Sequence, residues 1–321
     1  MEKDIDLITL GETMALFTPS SEGYLRYASQ FSRSFAGAET NVAIGVSRFG
    51  FKTGWISKVG KDEFGQALLR FLRGEQIDVS QVKKDEEYPT GLMFKEYLRD
   101  NKLRVFYYRK ESAASRLVPK DIDETYIKRA KYLFLSGITP ALSDSCYETV
   151  KRTVEVARNE GTAIIFDPNL RRKLWTEDKA RRILTELSGL ADIVLPGVAE
   201  GEFLFGTSDV REIGESFLEL GADMAVVKLG AKGAHYFTGS EHALVPGFKV
   251  ERVIDPIGAG DAFAAGLITG FIENLTLKDA VNRANGFGAM VTLVKGDVEG
   301  LPERIELEQF ISKASLEDVQ R

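Results

Sequence analysis

Asp255-Pro256-Ile257-Gly258-Ala259-Gly260-Asp261-Ala262-Phe263 is a glycine-rich turn that runs into an apolar helical pattern over Ala259 to Ile272. Gly258 and Gly260 lack a Cβ where backbone has to approach a ligand closely. Consecutive N–H groups at the start of a helix form an anion hole, reinforced by the helix dipole. A hole built from Gly258, Ala259 and Gly260 suits the charge that develops on a phosphoryl group in transfer. Asp261, at its mouth, is a poor phosphate ligand because like charges repel. It suits a base that takes the proton from an attacking hydroxyl. Taken without its neighbours, the same residue reads as an N-cap on an ordinary helix.

Outward from this turn the chain alternates. Apolar strands are expected at Tyr132 to Leu135, Ala163 to Phe166, Asp192 to Leu195 and Met224 to Val227. Amphipathic helices separate them, at Asp144 to Asn159, Glu177 to Leu187, Glu200 to Phe205 and Asp209 to Leu220. Such alternation means a mostly parallel sheet covered on both faces. Toward the N-terminus, Ile5 to Leu10 and Thr53 to Val59 read as strands, and Glu39 to Phe49 and Glu63 to Arg73 as helices, the latter capped by Asp62. Leu92 to Leu98 and Leu103 to Arg109 read as a hairpin through Arg99-Asp100-Asn101-Lys102. A second hairpin is expected at Gly233 to Phe237 and Ala243 to Val245, and a long helix over Leu277 to Val294. The expectation is one α/β domain over residues 1–321, with a small β lid from about 12–35 and 88–111.

Composition narrows the function. The chain has 321 residues and a formal net charge of -6, which disfavours nucleic acid as the main partner. The basic run Arg171-Arg172-Lys173 is a local exception, suited to one anion or to a solvated turn. Cys146 is the single cysteine, so no intrachain disulfide forms, and it reads as a partly buried small residue. His235 and His242 are too few for a His-rich metal site and read as surface or packing residues. With no secretory pattern after Met1 and no apolar run of membrane-spanning length, a cytoplasmic protein is expected.

Four segments together resemble the ribokinase-like (PfkB) family of sugar kinases. Asp255 to Asp261 is similar to the family's D-[TP]-x-G-A-G-D signature. Ala36-Gly37-Ala38-Glu39-Thr40-Asn41-Val42-Ala43 resembles its glycine-rich substrate turn, Gly60-Lys61-Asp62-Glu63-Phe64-Gly65 its G-x-D-x-x-G element, and Lys228-Leu229-Gly230-Ala231-Lys232-Gly233 its K-x-G-x-x-G nucleotide segment. The resemblance implies a three-layer α/β/α kinase that uses ATP and a divalent cation, usually Mg²⁺. It implies Lys228, Gly230, Gly233, Gly258, Gly260 and Asn285 at the nucleotide, and Gly37, Ala38 and Asn41 at the substrate. Glu200 matches the acid of an N-x-x-E element that organises the metal's water shell, although Gly197 stands where the Asn is usual.

Within the family, Gly11-Glu12-Thr13-Met14, Phe106-Tyr107-Tyr108-Arg109, Ser136-Gly137-Ile138-Thr139-Pro140 and Asp167-Pro168-Asn169-Leu170-Arg171 are similar to 2-keto-3-deoxygluconate kinases. That likeness implies keto-acid contacts at Tyr107, Arg109, Arg171 and Asp297, with Met93 in place of a Tyr that some members carry. The residues agree with it. In a strand Tyr107 and Arg109 share a face, and Arg suits a carboxylate fork. Asn169 and Arg171 follow a strand's carboxyl end, where open α/β sheets bind ligands. Two alternatives stand beside this reading: a fructose or ribose kinase with the same chemistry, and a non-catalytic sugar-acid sensor. A dinucleotide oxidoreductase is disfavoured, because no Gly-x-Gly-x-x-Gly follows the first strand. The lid aromatics Phe106 and Tyr108 suit pairing into a homo-oligomer.

Overall fold

The computed structural model describes residues 3–98 and 103–319, and side chains up to residue 313. The expected turn Arg99-Asp100-Asn101-Lys102 lies outside the described residues. Among the described residues thirteen strands are formed: β1 (Ile5–Leu10), β2 (Met14–Pro19), β3 (Phe31–Ala36), β4 (Thr53–Gly60), β5 (Val82–Asp85), β6 (Leu92–Tyr97), β7 (Leu103–Tyr108), β8 (Ala130–Ser136), β9 (Ala163–Asp167), β10 (Ile193–Val194), β11 (Met224–Lys228), β12 (Ala234–Thr238) and β13 (His242–Val245). Nine make one sheet in the order β13-β12-β11-β10-β9-β8-β1-β4-β5. All neighbours from β11 to β5 are parallel, and β12 and β13 add an antiparallel edge.

The strands are apolar on both faces because both are covered. Leu7, Phe134, Ile165 and Val226 face one core with the helices Ala38–Arg48, Ala259–Ile272 and Leu277–Val291. Ile8, Leu133, Phe166 and Val227 face the other, under Asp144–Asn159, Glu177–Leu190 and Val210–Leu220. Phe134 and Phe166 are fully buried, and each such side chain contributes about 1.5–3 kcal/mol. The helix starts follow local capping chemistry. Asp62 accepts from Gly65 N at 2.7 Å and Ser143 from Cys146 N at 3.1 Å. Cys146 is fully buried rather than partly so, and burial pushes its thiol up to about 11.

The lid is a separate four-stranded sheet, β3-β2-β6-β7, made by the two expected excursions. It turns Met93, Lys95, Tyr97, Val105 and Tyr107 inward and Phe94, Phe106 and Tyr108 outward, as strand alternation requires. Sequence reading missed the edge strand β5 and the helix Arg304–Val319.

Candidate active site

The carboxyl ends of β1, β8, β9 and β11 open toward the lid, and the helix Ala259–Ile272 points its N-terminus into the same space. A cavity of about 340 Å³ lies there, lined by Gly37, Ala38, Asn41, Tyr107, Arg109, Asn169, Arg171, Asp261 and Asp297, among others. All the expected substrate residues therefore converge. A second cavity of about 540 Å³, lined by Gly230, Gly233, Asn285, Phe248 and Val250, lies on the far side of the glycine turn. The two share Lys228, Pro256, Ala259 and Gly260, so they meet at the glycine turn.

Gly258 is the N-cap of the helix, with φ +83°, a left-handed conformation that a side chain disfavours. Its Cα also packs against the Asp297 carbonyl, where a Cβ would come within 2.9 Å. Asp261 follows in the first turn. Asn41 Nδ2 donates to its Oδ2 at 2.8 Å, fixing the carboxylate's orientation. Burial pushes the Asp261 carboxyl up to about 7; Asn41 opposes that shift, and the Asp167 charge adds to it. A carboxyl with a pKa near neutrality is suited to taking up a proton. Gly37 is fixed by crowding, since a Cβ there would lie 2.5 Å from the Glu12 carbonyl. Its turn starts the helix that carries Asn41.

Lys228 sits between the cavities. It pairs with Asp167 at 2.5 Å. Burial would lower its ammonium, but Asp167 and Glu200 hold it above its ordinary value, so it stays charged. Glu200 is half-buried, and desolvation of its carboxyl, with Asp167 nearby, raises it. Its Oε1 accepts from Leu170 N at 2.9 Å and its Oε2 from Gly197 N at 2.6 Å. Glu200 thus ties the 170 loop to its own helix start. Gly197 provides a backbone N–H there, so that tie does not use an Asn side chain.

Several expected contacts are partly committed elsewhere. Arg109 directs Nε (2.7 Å) and Nη2 (2.6 Å) at Glu12 Oε2, so the fork expected for a substrate carboxylate already holds a carboxylate of the chain. Arg171 is exposed at the cavity's rim. Asp297 pairs with Lys95 at 2.6 Å, and Asn285 donates to the Val245 and Pro246 carbonyls, both at 3.1 Å. Asn285 therefore holds the wall of the second cavity with its amide. Asp167, which lines the cavity, and Lys95, Asp255 and Glu12, which bond to the lining residues Asp297, Ile257 and Arg109, were not among the expected residues. The available signal was a lysine at an inward position of a lid strand.

The sequence profile of the pfkB family of carbohydrate kinases matches residues 4–304. The chain is 43% identical to 2-dehydro-3-deoxygluconokinase of Bacillus subtilis (strain 168), over 96% of both chains. It is 33% identical to fructokinase-1 of Zea mays, over 96% of this chain and 98% of that one. It superposes with a TM-score of 0.90 and 27% identity on a putative ribokinase II of E. coli in complex with ATP and Mg²⁺, over 96% and 99% of the chains. The chain belongs to the pfkB family of carbohydrate kinases.

Proposed function

From that membership we propose that the protein transfers the γ-phosphoryl group of ATP to the terminal hydroxyl of 2-keto-3-deoxygluconate. The observation that carries the reading is the junction of two cavities at Ala259 and Gly260, with Asp261 facing the substrate side. The sugar acid occupies the smaller cavity and ATP the larger. Asp261 accepts the hydroxyl proton as the oxygen attacks, and the N–H groups of the 258–260 turn stabilise the transferring charge. Lys228, charged and reaching both cavities, faces the phosphates. The greater identity to a 2-keto-3-deoxygluconate kinase than to a fructokinase favours the acid over a neutral sugar. So does the cationic rim at Arg171.

Among the described residues no group of three or more His, Cys, Asp and Glu side chains forms a metal cage. That suits Mg²⁺, which keeps its waters and binds through phosphates. Asp167 and Glu200 are the cavity carboxylates that would receive those waters, and the ion would neutralise phosphate charge. The outer lid face bears a ladder of rings, with Phe94 stacked on Phe17 at 5.1 Å and edge-on to Tyr108 at 5.6 Å. Tyr108 is 64% and Phe106 38% exposed. Pairing of two lids through this face would cover them.

The test is ADP release from Mg²⁺-ATP with 2-keto-3-deoxygluconate, gluconate, fructose and ribose, by wild type and Asp261→Ala. Preference for the keto acid, lost in the variant, is the expected result. Preference for a neutral sugar would reassign the substrate. Ligand binding without turnover on any of them would favour the sensor reading.

A further inference from the structure

Lys95 is fully buried, on the central lid strand β6. Its Nζ lies 2.9 Å from Asp255 Oδ2 and 2.6 Å from Asp297 Oδ1. Neither carboxylate belongs to the lid. Asp255 opens the turn that forms the anion hole, and its Oδ1 accepts from Ile257 N at 3.0 Å. Asp297 belongs to the opposite wall, where its carbonyl packs on Gly258. Tyr97, two residues along the same inward face, donates to Asp255 Oδ2 at 3.1 Å. The lid thus reaches under the anion hole with one cation and one hydroxyl, and both walls of the hole converge on that cation.

A buried ammonium is costly, and stability alone is weak grounds for one, since apolar replacements of buried ion pairs are often neutral or stabilising. A gain in positioning is a different matter. Without a cation between them, two buried carboxylates repel and the walls they belong to separate. We propose that Lys95 is a positioning residue for phosphoryl transfer: an internal cation on the lid that holds the 255–258 turn against the 296–297 segment and so sets the spacing of the anion-hole N–H groups. The inference rests on the kinase reading, not on the choice of sugar.

The experiment compares wild type with Lys95→Met, using saturating ATP and whichever sugar of the panel wild type turns over best. The kcat is expected to fall about 100-fold, the loss typical of a misplaced oxyanion donor, with the KM for ATP changed less than about threefold. Ammonium, the size of the single heavy atom that Lys95→Met removes, should restore at least about tenfold of that loss, with saturation; tetramethylammonium should not, and wild type should not respond. A kcat within about threefold of wild type, or a loss that no small cation repairs, would overturn the proposal. Should Lys95→Met fail to fold, Lys95→Met/Asp297→Asn removes one charge of each sign and carries the same rescue test at saturating sugar. Wild type that binds ATP and phosphorylates no sugar would sink the functional reading itself, and this inference with it.

Discussion

Asn41 donates from Nδ2 to Asp261 Oδ2 at 2.8 Å, joining residues 220 positions apart in the chain. The bond links the helix capped by Gly37 to the helix capped by Gly258. It favours the ionised form of Asp261 against the burial that disfavours it. Asn41→Ala should therefore move the acidic limb of the rate profile to higher pH. The kcat is expected to drop more at about pH 6 than at about pH 8, where Asp261 ionises without help. A parallel drop at both would limit Asn41 to holding the substrate.

Asp261 itself makes a prediction with two signs. For wild type, kcat/KM should rise with pH through about 7 with unit slope, because only the ionised carboxylate accepts a proton. Asp261→Asn should lose about 100- to 10,000-fold in kcat. Stability should move the other way. The folded carboxyl holds its proton more tightly than the unfolded one, so stability falls as pH rises between the ordinary carboxylate range and about 7. Asp261→Asn removes that penalty. Its gain in Tm over wild type should be larger at about pH 8 than at about pH 6, as read by calorimetry. An equal or reversed gain would mean that Asp261 titrates normally.

Most helix positions, the parallel sheet and the lid were legible because each is signalled within a few residues. Asp62 starts one helix, the glycine turn at 258–260 opens another, and a polar turn between two strand-like runs signals the lid hairpin. Strand β5 was not, because Val-Lys-Lys-Asp at a polar edge has no apolar period to read. The candidate site was legible where one segment carries it, as in Gly258 to Asp261. It was illegible where side chains meet across the fold. Lys95 with Asp255 spans 160 positions and Arg109 with Glu12 spans 97, and nothing local to either partner announces the other. Arg109 shows the consequence: its residue type suits a substrate carboxylate, yet Glu12 takes two of its donors.

The two arginines should accordingly separate in experiment. Arg171→Ala, at the exposed rim, should raise the KM for the keto acid about tenfold or more, the worth of a hydrogen bond to a charged group, and leave the KM for fructose nearly unchanged. Arg109→Ala should in addition cost about 3–5 kcal/mol in denaturant unfolding, because Glu12 remains buried without its cation. Equal losses on both sugars for Arg171→Ala would remove the carboxylate from its role.

The two glycines of the hole should fail in different ways when replaced by alanine. At Gly258 the backbone is left-handed, and a Cβ would lie 2.9 Å from the Asp297 carbonyl. Gly258→Ala should cost about 1–3 kcal/mol of stability, because backbone has to move. It should also lower kcat by about 10- to 1000-fold as the N–H groups lose their aim. At Gly260 an added Cβ meets only Lys228 Nζ, at 3.7 Å. Gly260→Ala should keep the wild-type Tm, since alanine suits a helix and no wall is displaced. Its methyl would instead project into the space the two cavities share, where the phosphoryl group has to pass. Activity lost at unchanged stability is the expected outcome, read from Tm and kcat on one preparation. A Gly260→Ala enzyme with wild-type kcat would place the transfer path elsewhere than over this turn.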